Sequence, residues 1–159
     1  MIIEKNQNIF FTDAESITHC CNTFCVWGAG IAKEMKMRYP SAYHVDLMTE
    51  CGNKEKLGNY SLVWLKEDEK VDAPNLRGIY NLYGQHYYGT HVKQLSYDAL
   101  HDGMIKVLEN CKTNNIKTLA IPYKIGAGLA GGNWNIIMEI LKSIFEKEKD
   151  FTLIICRKD

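Results

Sequence analysis

The chain has 159 residues, 46% of them hydrophobic, and its 19 basic and 19 acidic side chains give a formal net charge of zero. That length predicts one domain spanning 1–159 with a sizeable core. The balanced charge advertises no polynucleotide track, and no stretch approaches the roughly 20 apolar residues of a membrane span.

In chain order, residues 2–11 read as one or two short strands with a turn near Asn6, Gln7 and Asn8. Residues 16–21 read as a strand. Residues 28–39 read as a helix stopped by Pro40, because a residue before proline is pushed out of the helical region. Residues 42–51 read as a second helix, ended by Gly52. Strand candidates at 60–66 and 78–83 flank a polar turn, 67–76. Residues 97–111 carry Leu100, Met104, Val107 and Leu108 at helical spacing. A short buried strand at 117–121, a helix at 133–146 and a strand at 151–156 complete the chain. Strands alternating with helices predict an α/β fold with helices on both faces of the sheet.

Residues 1–7 lack a signal-peptide pattern. The six cysteines, at 20, 21, 25, 51, 111 and 156, read as reduced thiols, so a cytoplasmic protein is expected. Cys21 and Cys25 beside His19 form too sparse a set for zinc. No metal and no cofactor are expected.

Two glycine clusters carry the chemistry: Trp27-Gly28-Ala29-Gly30-Ile31-Ala32 and Ile125-Gly126-Ala127-Gly128-Leu129-Ala130-Gly131-Gly132. Each follows a strand candidate and precedes a helix candidate. Glycine lets a backbone turn sharply and approach a ligand. Amides at a helix N-terminus carry partial positive charge that suits phosphate. Ligands of such sheets sit beyond the carboxyl ends of the strands. The two loops together predict a clamp for two linked phosphates. His19 and Asn22 end the strand before the first loop. His19 either exchanges a proton near neutral pH or is a satisfied strand histidine. Asn22 either orients a ligand hydroxyl or forms a turn.

The string His19-Cys20-x4-Cys25-x2-Gly28-Ala29-Gly30-Ile31-Ala32 resembles the macro domain family. It is most similar to the branch holding ADP-ribose-1''-phosphate phosphatases and terminal ADP-ribose protein glycohydrolases. Arg38-Tyr39-Pro40, Ile121-Pro122-x2-Ile125-Gly126-x-Gly128-Leu129, Trp134 and Asn81-x3-Gln85 extend the likeness over nearly the whole chain.

The resemblance implies a three-layer α/β/α sandwich with a central mixed β-sheet and an ADP-ribose cleft. It places Gly28, Ala29, Gly30, Ile31 and Ala32 along the distal ribose and diphosphate. Ile125, Gly126, Ala127, Gly128, Leu129, Ala130 and Gly131 wrap the diphosphate from the other side. Asn8 and Ile9 stand at the family's adenine position, with an amide where an aspartate is usual. Tyr83 and Gln85 complete the expected binding set; one of Tyr83, Tyr87 and Tyr88 either stacks on the adenine or covers the distal ribose, or the three form a surface staple over the sheet. His19 matches the histidine proposed to act in the phosphatase, with Asn22 beside it. The glycohydrolase branch's lysine is absent, since residues 80–85 read Tyr-Asn-Leu-Tyr-Gly-Gln, and its partner aspartate is Ala130. The expected function is therefore binding of ADP-ribose or its phosphorylated derivative, with removal of the 1''-phosphate. Non-catalytic binding and lysine-independent hydrolysis of ADP-ribosyl conjugates are the alternatives.

Overall fold

The structure is a computed structural model describing residues 1–88, 94–128 and 130–158. Its elements are β1 (Ile2–Lys5), β2 (Ser16–Asn22), α1 (Gly30–Arg38), α2 (Pro40–Leu47), β3 (Tyr60–Trp64), β4 (Gly78–Gln85), α3 (Tyr97–Thr113), β5 (Thr118–Pro122), α4 (Trp134–Phe145) and β6 (Thr152–Cys156). Short 3-10 turns occupy Ile9–Phe11, Lys54–Lys56 and Glu67–Glu69.

The strands form one mixed sheet in the order β1-β6-β5-β2-β4-β3. Every neighbouring pair is parallel except β3 and β4, so the single antiparallel strand lies at an edge. β2 and β4 are nearly wholly buried, as strands covered on both faces must be.

Helices cover both faces. α3 and α4 pack with Leu82, Leu119, Ile121, Leu153 and Ile155 on one side. Met35 of α1 and Ala42 of α2 pack with Ile17, Ile79, Ala120 and Ile154 on the other. Ile137, Leu141 and Phe145 recur every fourth residue of α4 and are fully buried. Each such side chain contributes about 2 kcal/mol of burial, which anchors α4 far more firmly than helix propensity does.

Three local expectations change. Residues 9–11 form a 3-10 turn capped by the Asn8 side chain rather than a strand. α1 starts two residues late, because Ala29 is extended at φ −151° and ψ 162°. Pro40 opens α2 as well as ending α1, since its fixed φ suits a first helical position and its missing N–H costs nothing there. The reduced-thiol expectation is corrected at one pair: Cys25 and Cys51 form a disulfide, with Cα atoms 5.6 Å apart. Folding brings the turn after β2 against the turn after α2, a tertiary contact that cysteine spacing does not encode. Cys20, Cys21, Cys111 and Cys156 remain free. Among the described residues no helix is long and apolar enough to cross a membrane, and no cluster could hold a metal ion.

Candidate functional site

β2 and β5 are parallel neighbours, so their carboxyl ends open on the same edge of the sheet. β2 runs on to α1 over one face, and β5 runs on to α4 over the other. The crevice left where such connections diverge is where ligands of open α/β sheets bind. Here it is a cleft of about 530 Å³ between the two glycine loops, a size typical of small-molecule sites. Its floor is His19, Cys20 and Cys21. One wall is Asn22 and residues 26–32, and the other is residues 122–126 with Gly128 and Ala130. Gln85 and Tyr88 stand at the side.

The first loop is held by side chains. Asn22 accepts from the amides of Phe24 (3.0 Å) and Val26 (3.2 Å) and donates to the Val26 carbonyl at 2.8 Å. The indole of Trp27 donates to Asp46 Oδ2 at 2.7 Å. Asp46 is fully buried, accepts from the Tyr83 hydroxyl at 2.6 Å and lies 3.9 Å from Lys56 Nζ. The Cys25–Cys51 bond adds a covalent tie. Gly30 sits at φ +60°, a left-handed conformation that favours glycine. The extended Ala29 offers no side-chain cap, and the first intrahelical bond is Lys33 to Ala29. The amides of Gly30, Ile31 and Ala32 therefore lack helical acceptors and stand at the cleft wall.

The second loop is held by its own backbone. Ile125 donates to Pro122, Ala127 to Lys124, Gly131 to Gly128 and Gly132 to Gly126, at 2.8–3.1 Å. Gly126 needs φ +73° to make this turn. Among the described residues none accepts from the amides of Gly126 or Gly128. A Cβ placed on Gly28 or on Gly128 would meet nothing within 4 Å, so both α-carbons face open space. No carboxylate lines the cleft among the described residues, and Lys124 adds a cation. The cleft is receptive to an anion.

His19 is buried on the cleft floor. Its Nε2 lies 2.8 Å from Asn81 Oδ1. Asn81 donates to Ala42 O and Ser61 Oγ, which leaves Oδ1 to accept and assigns the proton to Nε2. Burial lowers the His19 pKa from 6.5 to about 4, only partly offset by the Asn81 bond. The ring is neutral at pH 7 and packs edge-on against Trp27, with centroids 4.9 Å apart. Burial also pushes the Cys20 thiol up to about 12, so it offers no thiolate.

The structure brings His19, Asn22, Gly28, Ala29, Gly30, Ile31, Ala32, Gln85, Ile125, Gly126, Gly128 and Ala130 around the cleft. Asn8, Ile9, Ala127 and Gly131 do not line it, and Leu129 lies outside the described residues. Tyr83 is a correction: its ring is buried and its hydroxyl is taken by Asp46 and by Ser61 at 2.7 Å, behind the first loop. The adjacent Tyr88 lines the cleft instead. Sequence reasoning missed Asp46, Val26 and Tyr123.

The chain is 33% identical over 138 residues to a 17.5 kDa protein of the tk-vs intergenic region of Enterobacteria phage T4, covering 86% of this chain and 84% of that one. It is 29% identical over 140 residues to a DNA ADP-ribosyl transferase–DNA ADP-ribosyl glycohydrolase fusion protein of Thermosipho africanus, covering 82% of this chain but only 35% of the fusion. A stretch of 33 residues is 46% identical to an ADP-ribose 1''-phosphate phosphatase of Aspergillus oryzae, covering 21% of this chain and 16% of that one. In fold it resembles the macrodomain of Mycobacterium tuberculosis DarG, with TM-score 0.81, 21% identity, and 100% of this chain and 99% of that one aligned. It also resembles Thermosipho africanus DarTG in complex with ADP-ribose, with TM-score 0.77, 21% identity, and 98% and 41% aligned. The macro domain profile matches residues 18–141, and the chain belongs to the macro domain family.

Proposed function

We propose that the cleft binds ADP-ribose by its diphosphate and that the chain hydrolyses ADP-ribosyl conjugates of nucleic acid. The observation that carries this reading is the convergence of two glycine loops on one cleft, with loop amides that lack acceptors and no carboxylate among the described lining residues. The amides of Ile31 and Ala32 face one phosphate and those of Gly126 and Gly128 the other. Residues 28–30 lie along the distal ribose. The fusion protein's name supports a nucleic-acid conjugate.

In this reaction water adds to the anomeric carbon of the distal ribose as the bond to the acceptor breaks, and the acceptor leaves with a proton. A diphosphate oxygen of the bound conjugate orients the water by accepting its hydrogen bond, and the proton the water loses passes to the departing acceptor, because the described lining holds no carboxylate and burial leaves His19 a weakened base. The loops hold that oxygen in place, and each backbone donor facing developing charge contributes about 3 kcal/mol. His19 keeps Trp27 and the loop in register rather than moving a proton. Residues 80–85 hold no lysine, so no amine nucleophile enters from that strand.

The short Aspergillus match favours a second reading, removal of the 1''-phosphate from ADP-ribose-1''-phosphate. Here water would attack phosphorus, with the loop amides neutralising charge and His19 Nδ1 as the available acceptor. One experiment separates the readings: the protein is incubated with an ADP-ribosylated single-stranded oligonucleotide, an ADP-ribosylated protein and ADP-ribose-1''-phosphate. The expected result is free ADP-ribose from the oligonucleotide. Phosphate released from the third substrate alone would establish the second reading. Tight ADP-ribose binding without any product would reduce the chain to a binding module.

A further inference from the structure

We infer that Phe24, Tyr87 and Tyr88 form a stacking platform for a nucleobase at the mouth of the cleft. The Phe24 and Tyr87 rings are stacked, 5.5 Å apart and 19° from parallel. Tyr88 meets Phe24 edge-on at 6.0 Å, and His86 packs against Phe24 and Tyr87 at 5.0 and 4.4 Å. Tyr87 and Tyr88 are nonetheless 59% and 55% exposed. Aromatic rings usually bury most of their area, and adjoining exposed rings on a surface mark a binding site.

The cluster is backed from below. Thr23 Oγ1 lies 2.6 Å from His86 Nδ1, and Gln85 Nε2 donates to the Tyr87 carbonyl at 2.9 Å. A Cβ on Gly52 would press to 3.3 Å from the Phe24 ring, so that turn packs closely against it. The platform is continuous with the cleft, because Gln85 and Tyr88 also line it.

The inference rests on the ADP-ribose reading of that cleft. The group attached to the distal ribose must leave past the side of the cleft that Tyr88 lines, against which Phe24 packs with Tyr87 stacked on it. A nucleobase suits them, since every base has a flat π-face and stacking tolerates any sequence. A peptide is recognised at such a sheet through main-chain bonds to an open strand edge, whereas β4, from which the platform springs, is flanked by β2 and β3. With no net charge, the surface suits one or two bases rather than a long polyanion.

The test uses Tyr87→Ala and Tyr87→Trp in the full chain. Three ligands are titrated: free ADP-ribose, an ADP-ribosylated single-stranded oligonucleotide and an ADP-ribosylated peptide. Tyr87→Ala should raise the half-saturating oligonucleotide concentration about tenfold, change free ADP-ribose binding less than about twofold, and be rescued by tryptophan. An unchanged oligonucleotide value overturns the platform alone, and an equal loss for the peptide makes the surface protein-facing and overturns it too. If the wild-type chain fails to bind free ADP-ribose, the cleft reading falls first and the platform with it.

Discussion

The two glycine loops look alike in sequence and are built differently. The first is fastened from outside itself, by Asn22, by the Trp27–Asp46 bond and by Cys51. The second closes on its own backbone, with Lys124, Gly126 and Gly131 all at positive φ. Both line the same cleft. One loop therefore depends on a buried polar network reaching through Tyr83, Ser61 and Asn81 to His19, and the other on conformations that few side chains permit.

The sharpest way to break this contrast is Asp46→Ala. It strands the Trp27 donor, removes one of the two partners of the Tyr83 hydroxyl and leaves Lys56 without its carboxylate. Removing one partner from such a network costs about 3–5 kcal/mol. Denaturant unfolding should record that loss, and a loss under about 1 kcal/mol would show that the network does not hold the first loop. Next in size is Gly128→Glu in the second loop. Its side chain has room at the α-carbon, so the fold should survive. A carboxylate at the proposed phosphate position should weaken ADP-ribose binding at least about 100-fold, or about 3 kcal/mol. Undiminished affinity in a folded variant would remove the site from this loop.

A smaller effect belongs to pH. The unfolded chain's histidine titrates near 6.5, whereas burial holds His19 neutral down to about 4. As pH falls through that window the unfolded state takes up a proton that the folded state refuses, so stability falls. Between pH 7 and pH 5 the loss from this group is about 2 kcal/mol. His19→Gln should flatten that part of the profile, and parallel wild-type and variant curves would contradict the assignment. Smallest is Gly28→Ala: its Cβ enters open space, so stability should move within about 0.5 kcal/mol. ADP-ribose affinity should fall measurably, because that space is the cleft. A stability loss without an affinity change would place Gly28 in packing instead.

The alternation of apolar runs made most strands and helices legible, because each buries one periodic face. α4 is the clearest case, with Ile137, Leu141 and Phe145 on a single stripe. The loops were legible for a related reason: glycine clusters between a strand and a helix have few structural uses. What the sequence hid is tertiary. Tyr83 sits beside cleft residues along the chain, yet strand alternation turns it inward to Asp46. Cys51 and Asp46 reach the first loop only after α2 folds back. His19 carries the right atoms for proton transfer, and only its burial beneath Trp27 shows that its Nε2 is committed to Asn81.

The most direct measurement is a crystal structure with ADP-ribose bound. One phosphate should lie about 3 Å from the amides of Ile31 and Ala32 and the other about 3 Å from those of Gly126 and Gly128. A diphosphate held elsewhere, or by one loop alone, would contradict it.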